Sequence, residues 1–300
     1  MEVTQKSGEW LPFKYRRARQ GRRRIRSCDW RRNGIRIETV VTTTHYGKGD
    51  GMTDRRRSGS VDVRFDWVTI HDPLPSTDTA TIQRFLALDD LSSTVSDVLD
   101  ELGVRGAIPT SRLSPSMPKE RIVGNATTVR NVDQSRSALA AVSDKDWRMA
   151  EILALRTTSP GDILVIEGLA EVSNMGGLMA SVAKRQGLSG AIVDGGVRDL
   201  GRSRALHFPV WSRDHTPVTG KWRSTTTEVN GTIRLSGIPV AAGDLIIADE
   251  TGICCIPRDL IHRVLERAEQ IASSEIGFDA LLKADEPVDG LIDYLYGKAD

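Results

Sequence analysis

Two short stretches hold the residue types from which a small acid site can be built. Gly176-Gly177-Leu178-Met179 comes first, and twenty residues separate Gly177 from Arg198-Asp199. Ala180 to Gln186 reads as a helix, and Gly190-Ala191-Ile192-Val193 as a short buried strand. The unit is thus a glycine turn, a helix, a strand and a second glycine turn, Asp194-Gly195-Gly196-Val197, that delivers an Arg-Asp pair. A helix start presents unpaired backbone N–H groups to an anion. Arginine offers a planar fork for a carboxylate, and aspartate a hard oxygen for a divalent cation. Together these parts suit a small keto-acid held against a metal.

The same residues resemble the G-x20-R-D signature of the RraA-like superfamily, which contains regulators of ribonuclease activity and class II 4-hydroxy-4-methyl-2-oxoglutarate aldolases that also decarboxylate oxaloacetate. Ser93 to Asp100, Pro160 to Val165 and Ala242 to Asp249 extend the resemblance over roughly residues 85–280. It implies an α/β chain folded as a layered α/β/β/α sandwich, assembling as a homotrimer or dimer of trimers. It also implies Mg2+ or Mn2+ on Asp199, with Arg198 as the clamp on a small 2-oxo acid. The backbone of Gly176, Gly177, Leu178 and Met179 would receive the substrate carboxylate. Glu275, expected beyond the last helix, would cross to a neighbouring subunit and hold a metal-bound water.

A metal across the keto and carboxylate oxygens acts as a Lewis acid toward the enolate formed when the adjacent C–C bond breaks. Aldol cleavage and decarboxylation share that requirement, and neither needs a Schiff-base lysine. The chain departs from the aldolase pattern at Gly177, where aldolases of the family carry a water-orienting Asp. It departs from the regulator pattern in Leu200-Gly201-Arg202-Ser203, where acidic residues are expected. Two readings follow: a metal-dependent carbon–carbon lyase, or a non-catalytic RraA-like protein that docks on a partner such as a ribonuclease.

The remaining polar candidates read as structural. Asp162 and Asp244 follow glycines in turns, as Asx-turn residues do, and Asp194 reads either as a residue that orients the metal's ligands or, in preference, as a strand-end cap. Asp249-Glu250 belongs to a hairpin turn, and Lys221 to the solvated surface. His207 and His215 lack metal-ligand spacing.

Composition narrows the classes further. No run approaches the roughly 18 apolar residues of a membrane helix, so no membrane partner is expected. Cys28, Cys254 and Cys255 give neither a disulfide framework nor a zinc motif, which fits a reducing cytoplasm. The net charge of +1 hides an asymmetry, because residues 1–58 hold sixteen Lys and Arg against six acids. That basic arm has no apolar period and reads as a disordered extension, with Met52 as an alternative start. It is the one nucleic-acid-like feature and lies outside the expected domain, so nucleic acid is not an expected partner.

The positioning elements follow from pattern. Residues 59–84 read as a linker, 85–280 as the α/β domain and 281–300 as a tail. Val95, Val98, Leu99 and Leu102 form one helical stripe that Gly103 ends. Arg121 to Val129 is strand-like. Trp147 to Leu155 reads as helical behind Ser143-Asp144, and Ile163 to Ile166 as a buried strand. After Asp199 the pattern turns to short strands at 233–235, 238–240, 245–248 and 252–256. Pro257-Arg258-Asp259 then launches a last helix through about Gln270.

Overall fold

The computed structural model describes residues 30–32, 35–37 and 65–297. Trp30–Arg32 and Ile35–Ile37 pair as two short antiparallel strands; the rest of the basic arm, Met52 included, lies outside the described residues. Residues from Asp66 onward form one compact unit. It starts within the expected linker, where Thr69–Ile70 pairs as a short strand and Asp78 caps the first helix.

In chain order the main elements are α1 (Thr79–Leu86), α2 (Leu91–Glu101), β1 (Ala107–Pro109), β2 (Ile122–Asp133), α3 (Ala138–Asp144), β3 (Ile163–Glu167) and β4 (Ser173–Met175). Then come α4 (Gly177–Arg185), β5 (Gly190–Val197), α5 (Leu200–Ala205), β6 (Val210–His215), β7 (Ser224–Val229), β8 (Ile233–Leu235) and β9 (Ile238–Val240). The chain closes with β10 (Leu245–Ala248), β11 (Gly252–Ile256), α6 (Ile261–Lys283) and α7 (Val288–Tyr296).

The long strand β2 organises an eleven-stranded mixed sheet. Its first half pairs antiparallel with β10, which leads on through β11 to β1. From Ala126 onward it pairs parallel with β3, and β3, β5 and β6 continue in parallel. Both halves of the sheet contribute to one core. Ile122, Ile246, Ala248, Ile253 and Cys255 meet Ile163, Val165, Ile192 and Trp211 there, together with the β8–β9 hairpin residues Ile233, Leu235, Ile238 and Val240.

The alternate residues of the antiparallel half, Val123, Leu245, Ile247, Cys254 and Ile256, pack instead beneath α1, α2 and α6. Period-two alternation therefore assigns each strand residue to one of two cores. The buried thiols are held protonated, since burial pushes Cys254 up to about 12 and raises Cys255 as well.

Three helical boundaries differ from the sequence pattern. Ser137 caps α3 by accepting from the Ala140 N–H, and left-handed Lys145 ends it, so Trp147 lies outside any helix. Only a short 3-10 turn, Glu151–Arg156, follows. The last long helix does not stop near Gln270 but runs to Lys283, and α7 occupies much of the expected tail.

Glu151, at the start of that 3-10 turn, is 8% exposed, and its carboxyl is pushed up to about 7 by burial. The fold thus prefers the protonated form. Its stabilising effect is complete below the ordinary value of 4.5 and is lost as pH rises through about 7. Glu151→Gln should therefore be more stable than the parent at pH 8 by about 3 kcal/mol, with the two converging as pH falls toward the unfolded value. Denaturant melts at both pH values measure this, and equal midpoints at pH 8 would refute it.

Candidate functional site

The site is assembled where β4 runs parallel beside the C-terminal end of β5, pairing Ser173 with Gly196 and Met175 with Val197. The Arg198 N–H continues the ladder by donating to the Met175 carbonyl at 3.1 Å. This brings the start of α4 alongside the Arg-Asp turn. Asn174, fully buried, locks the approach: its Nδ2 donates to the carbonyls of Leu169 and Val172, each at 2.8 Å, and its Oδ1 accepts from the Leu169 N–H at 3.0 Å.

Gly176 caps α4 without a side chain to offer, so the first-turn donors must find other partners. The Gly177 N–H donates to Asp199 Oδ2 at 3.1 Å. Leu178 and Met179 supply the next N–H groups of that turn, which have no intrahelical acceptor. Asp199 has left-handed backbone, φ 60°, and its carbonyl accepts from Arg202 N–H at 2.9 Å to open α5. Arg198 Nε lies 3.7 Å from Asp199 Oδ2, with the two side chains 41% and 51% exposed. The structure thus brings together Gly176, Gly177, Leu178, Met179, Arg198 and Asp199.

Glu275 is not among them. It lies inside α6 rather than after the last helix, on an exposed face. Its carboxyl is raised by burial and by the charges of Asp90, Asp97, Asp279 and Asp89. Lys221 is also placed differently from a solvated lysine: Nζ sits 3.8 Å from the ring centre of Trp147 and 4.8 Å from that of Trp222. Asp162 and Asp244 accept backbone N–H groups within their own turns, from Ser159 and Ala241. Asp249 accepts from Ser92, Thr251 and Gly252 N–H groups, tying α2 to the β10–β11 turn.

Sequence reasoning overlooked the part played by Arg202. A Cβ at Gly177 would stand 2.7 Å from Arg202 Cδ and 3.0 Å from Asp199 Cβ. Arg202 therefore occupies the space a side chain at 177 would need. The signal was available, since Arg198 and Arg202 are four residues apart across a helix start. Among the described residues no group of three or more His, Cys, Asp or Glu is arranged to hold a metal ion. Asp199 is a single hard-oxygen donor. That suits Mg2+, which is commonly held by one or two carboxylates plus substrate oxygens and water, and does not suit a histidine- or thiolate-bound ion.

Comparison with known proteins identifies the family. Residues 92–255 match the RraA-like family, Aldolase/RraA, and the chain belongs to that family. It is 32% identical over 178 residues to a Halalkalibacterium halodurans protein named "Putative 4-hydroxy-4-methyl-2-oxoglutarate aldolase", covering 59% of this chain and 77% of that one. A 4-hydroxy-4-methyl-2-oxoglutarate aldolase of Thermus thermophilus is 27% identical over 105 residues, 34% of this chain and 63% of its own. The crystal structure of Streptomyces coelicolor RraAS2, an unusual member of the RNase ES inhibitor RraA protein family, superposes with a TM-score of 0.58. That match has 25% identity and covers 68% of this chain and 97% of that one. Among the described residues no helix is long and apolar enough to cross a membrane.

The packing of Arg202 over Gly177 predicts energetic coupling between them. Gly177→Ala gains helix propensity but crowds Arg202 and Asp199. In an Arg202→Ala background the same substitution should be more favourable by about 1 kcal/mol. A double-mutant cycle of chemical denaturation midpoints measures the coupling; strict additivity would contradict it.

Proposed function

We propose that this chain is a divalent-metal-dependent carbon–carbon lyase acting on a short 2-oxo dicarboxylic acid, by aldol cleavage or by decarboxylation. The observation that carries the reading is the meeting of the α4 N-terminus with Arg198 and Asp199 on one rim, fixed by the Gly177 N–H to Asp199 Oδ2 bond. Asp199 would hold the cation through its carboxylate. Bound there, Mg2+ or Mn2+ supplies Lewis acidity at the 2-oxo group.

The chain's own residues supply the rest. The Leu178 and Met179 N–H groups receive a carboxylate at the positive end of α4. Arg198 clamps the substrate from the opposite side with a planar fork that fixes its rotation. Arg202, at the start of α5, adds a second positive charge beside Gly177. No side-chain acid stands at 177, so the proton that ends the reaction comes from solvent. A homotrimer, or a dimer of trimers, would bring a neighbouring copy to this rim, and Glu275 is the residue the family pattern assigns to such a crossing. The cytoplasm is the compartment that free, buried thiols suit.

A second reading keeps the same surface without turnover: an RraA-like binding protein that regulates a ribonuclease or another protein. Arg202 packed where aldolases of the family carry an Asp favours it, because the site is left with one carboxylate.

Pyruvate release from a panel of 2-oxo acids, with Mg2+ or Mn2+ and then with chelator, separates the two. Metal-dependent release selects the lyase, and no release from any acid selects the binding protein. Asp199→Asn should abolish release by orders of magnitude while the melting temperature in chelator stays at the parent value. Asparagine tolerates the left-handed backbone and its oxygen can still accept from Gly177. Unchanged release in this variant would rule out the site.

A further inference from the structure

A cleft lies at the tip of the β8–β9 hairpin, outside the residues invoked for the lyase. It has a volume of about 500 Å3 and is lined by Ser111, Arg112, Arg213, Ser236 and Gly237. Its two arginines are held along one edge each. Arg213 donates from both Nε and Nη2 to Asp194 Oδ1 on β5, the first at 2.9 Å. Arg112 Nη1 donates to the Ser236 carbonyl at 3.2 Å. Asp194 Oδ2 accepts in turn from the Ser236 N–H at 2.6 Å. Asp194 thus offsets Arg213, and Arg112 leaves the cleft one positive charge in excess.

The hairpin turn itself is unusual in its chemistry. Ser236 and Gly237 both have positive φ, 49° and 86°, the backbone of a tight two-residue turn in which asparagine or glycine is the ordinary first residue. Ser236 is nine-tenths buried, and its Oγ is buried without a hydrogen-bond partner. A buried hydroxyl without a partner costs stability, and so does serine in this conformation. Neither is explained by the packing of the turn.

We propose that this cleft binds the phosphate or carboxylate group of a small molecule, held between Arg112 and Arg213, with the Ser236 hydroxyl turning out from its buried, unpartnered position to act as a neutral donor. Planar guanidinium edges suit oxyanions and leave neutral ligands with nothing to pair. The volume suits a metabolite-sized ligand rather than a macromolecule.

The test uses full-length protein carrying Arg198→Gln throughout, which removes the arginine clamp of the proposed lyase site. The Arg112 and Ser236 variants made in that background report on the cleft alone, so that failure of the lyase reading leaves this result intact. Isothermal titration with inorganic phosphate and, separately, with malonate distinguishes phosphoryl from carboxylate recognition. Saturable binding of either probe is expected, weakened about tenfold or more by Arg112→Gln. Ser236→Gly should weaken it several-fold while raising the melting temperature, because glycine accepts the turn and removes the stranded hydroxyl. That opposed pair of effects is one a merely structural serine would not give. No saturable binding of either probe, or affinities unchanged in both variants, would overturn the proposal.

Discussion

The absence of side chains at the end of β5 is the constraint on which the arrangement around Arg198 and Asp199 depends. A Cβ at Gly195 would stand 2.4 Å from Asn174 Nδ2 and 2.6 Å from the Leu169 carbonyl, and one at Gly196 would stand 2.5 Å from Asp214 Oδ1. Any larger residue would push the 168–174 segment off the sheet. With that segment seated, Asn174 can satisfy three backbone groups, β4 can pair with β5, and α4 begins beside Asp199. The chemistry attributed to the rim is thus a consequence of how closely two backbones approach several residues earlier.

The two ends of this constraint have different mechanical characters. Upstream, the contacts are backbone hydrogen bonds and a buried amide, which have few alternative arrangements. Downstream, Arg198, Asp199 and Arg202 are side chains at an exposed rim. A rigid base carrying exposed charged side chains separates the residues that hold the fold from those that face solvent.

The buried strands were legible because their sequences are nearly continuous apolar runs: Ile163 to Ile166, Leu245 to Ala248 and Gly252 to Ile256 stand where the pattern put them. The clustering of Gly177, Arg198 and Asp199 was legible for a similar reason, since a short helix and one strand fix the separation of their ends. What failed depended on partners distant in the chain. Trp147 looked like the start of a helical stripe, yet it packs against Trp222 and Lys221. Residues beyond Gln270 were read as lying past the last helix, yet α6 runs on through them to Lys283, with the Tyr294 hydroxyl of α7 donating to the Ser274 carbonyl. Glu275 was misplaced by the same error. Arg202 was passed over because its significance lies in the space it fills above a glycine, which no single residue type announces.

The adjacent thiols of β11 have a further use. Cys254 and Cys255 are both almost fully buried on opposite faces of one strand, one in each core. Neither ionises readily in the fold, so neither can be modified until β11 parts from its neighbours. Because the two side chains look into different cores, labelling one without the other would require half of the molecule to open alone. The compact unit from Asp66 onward therefore carries a built-in pair of reporters, able to tell whether its two cores come apart together or in turn.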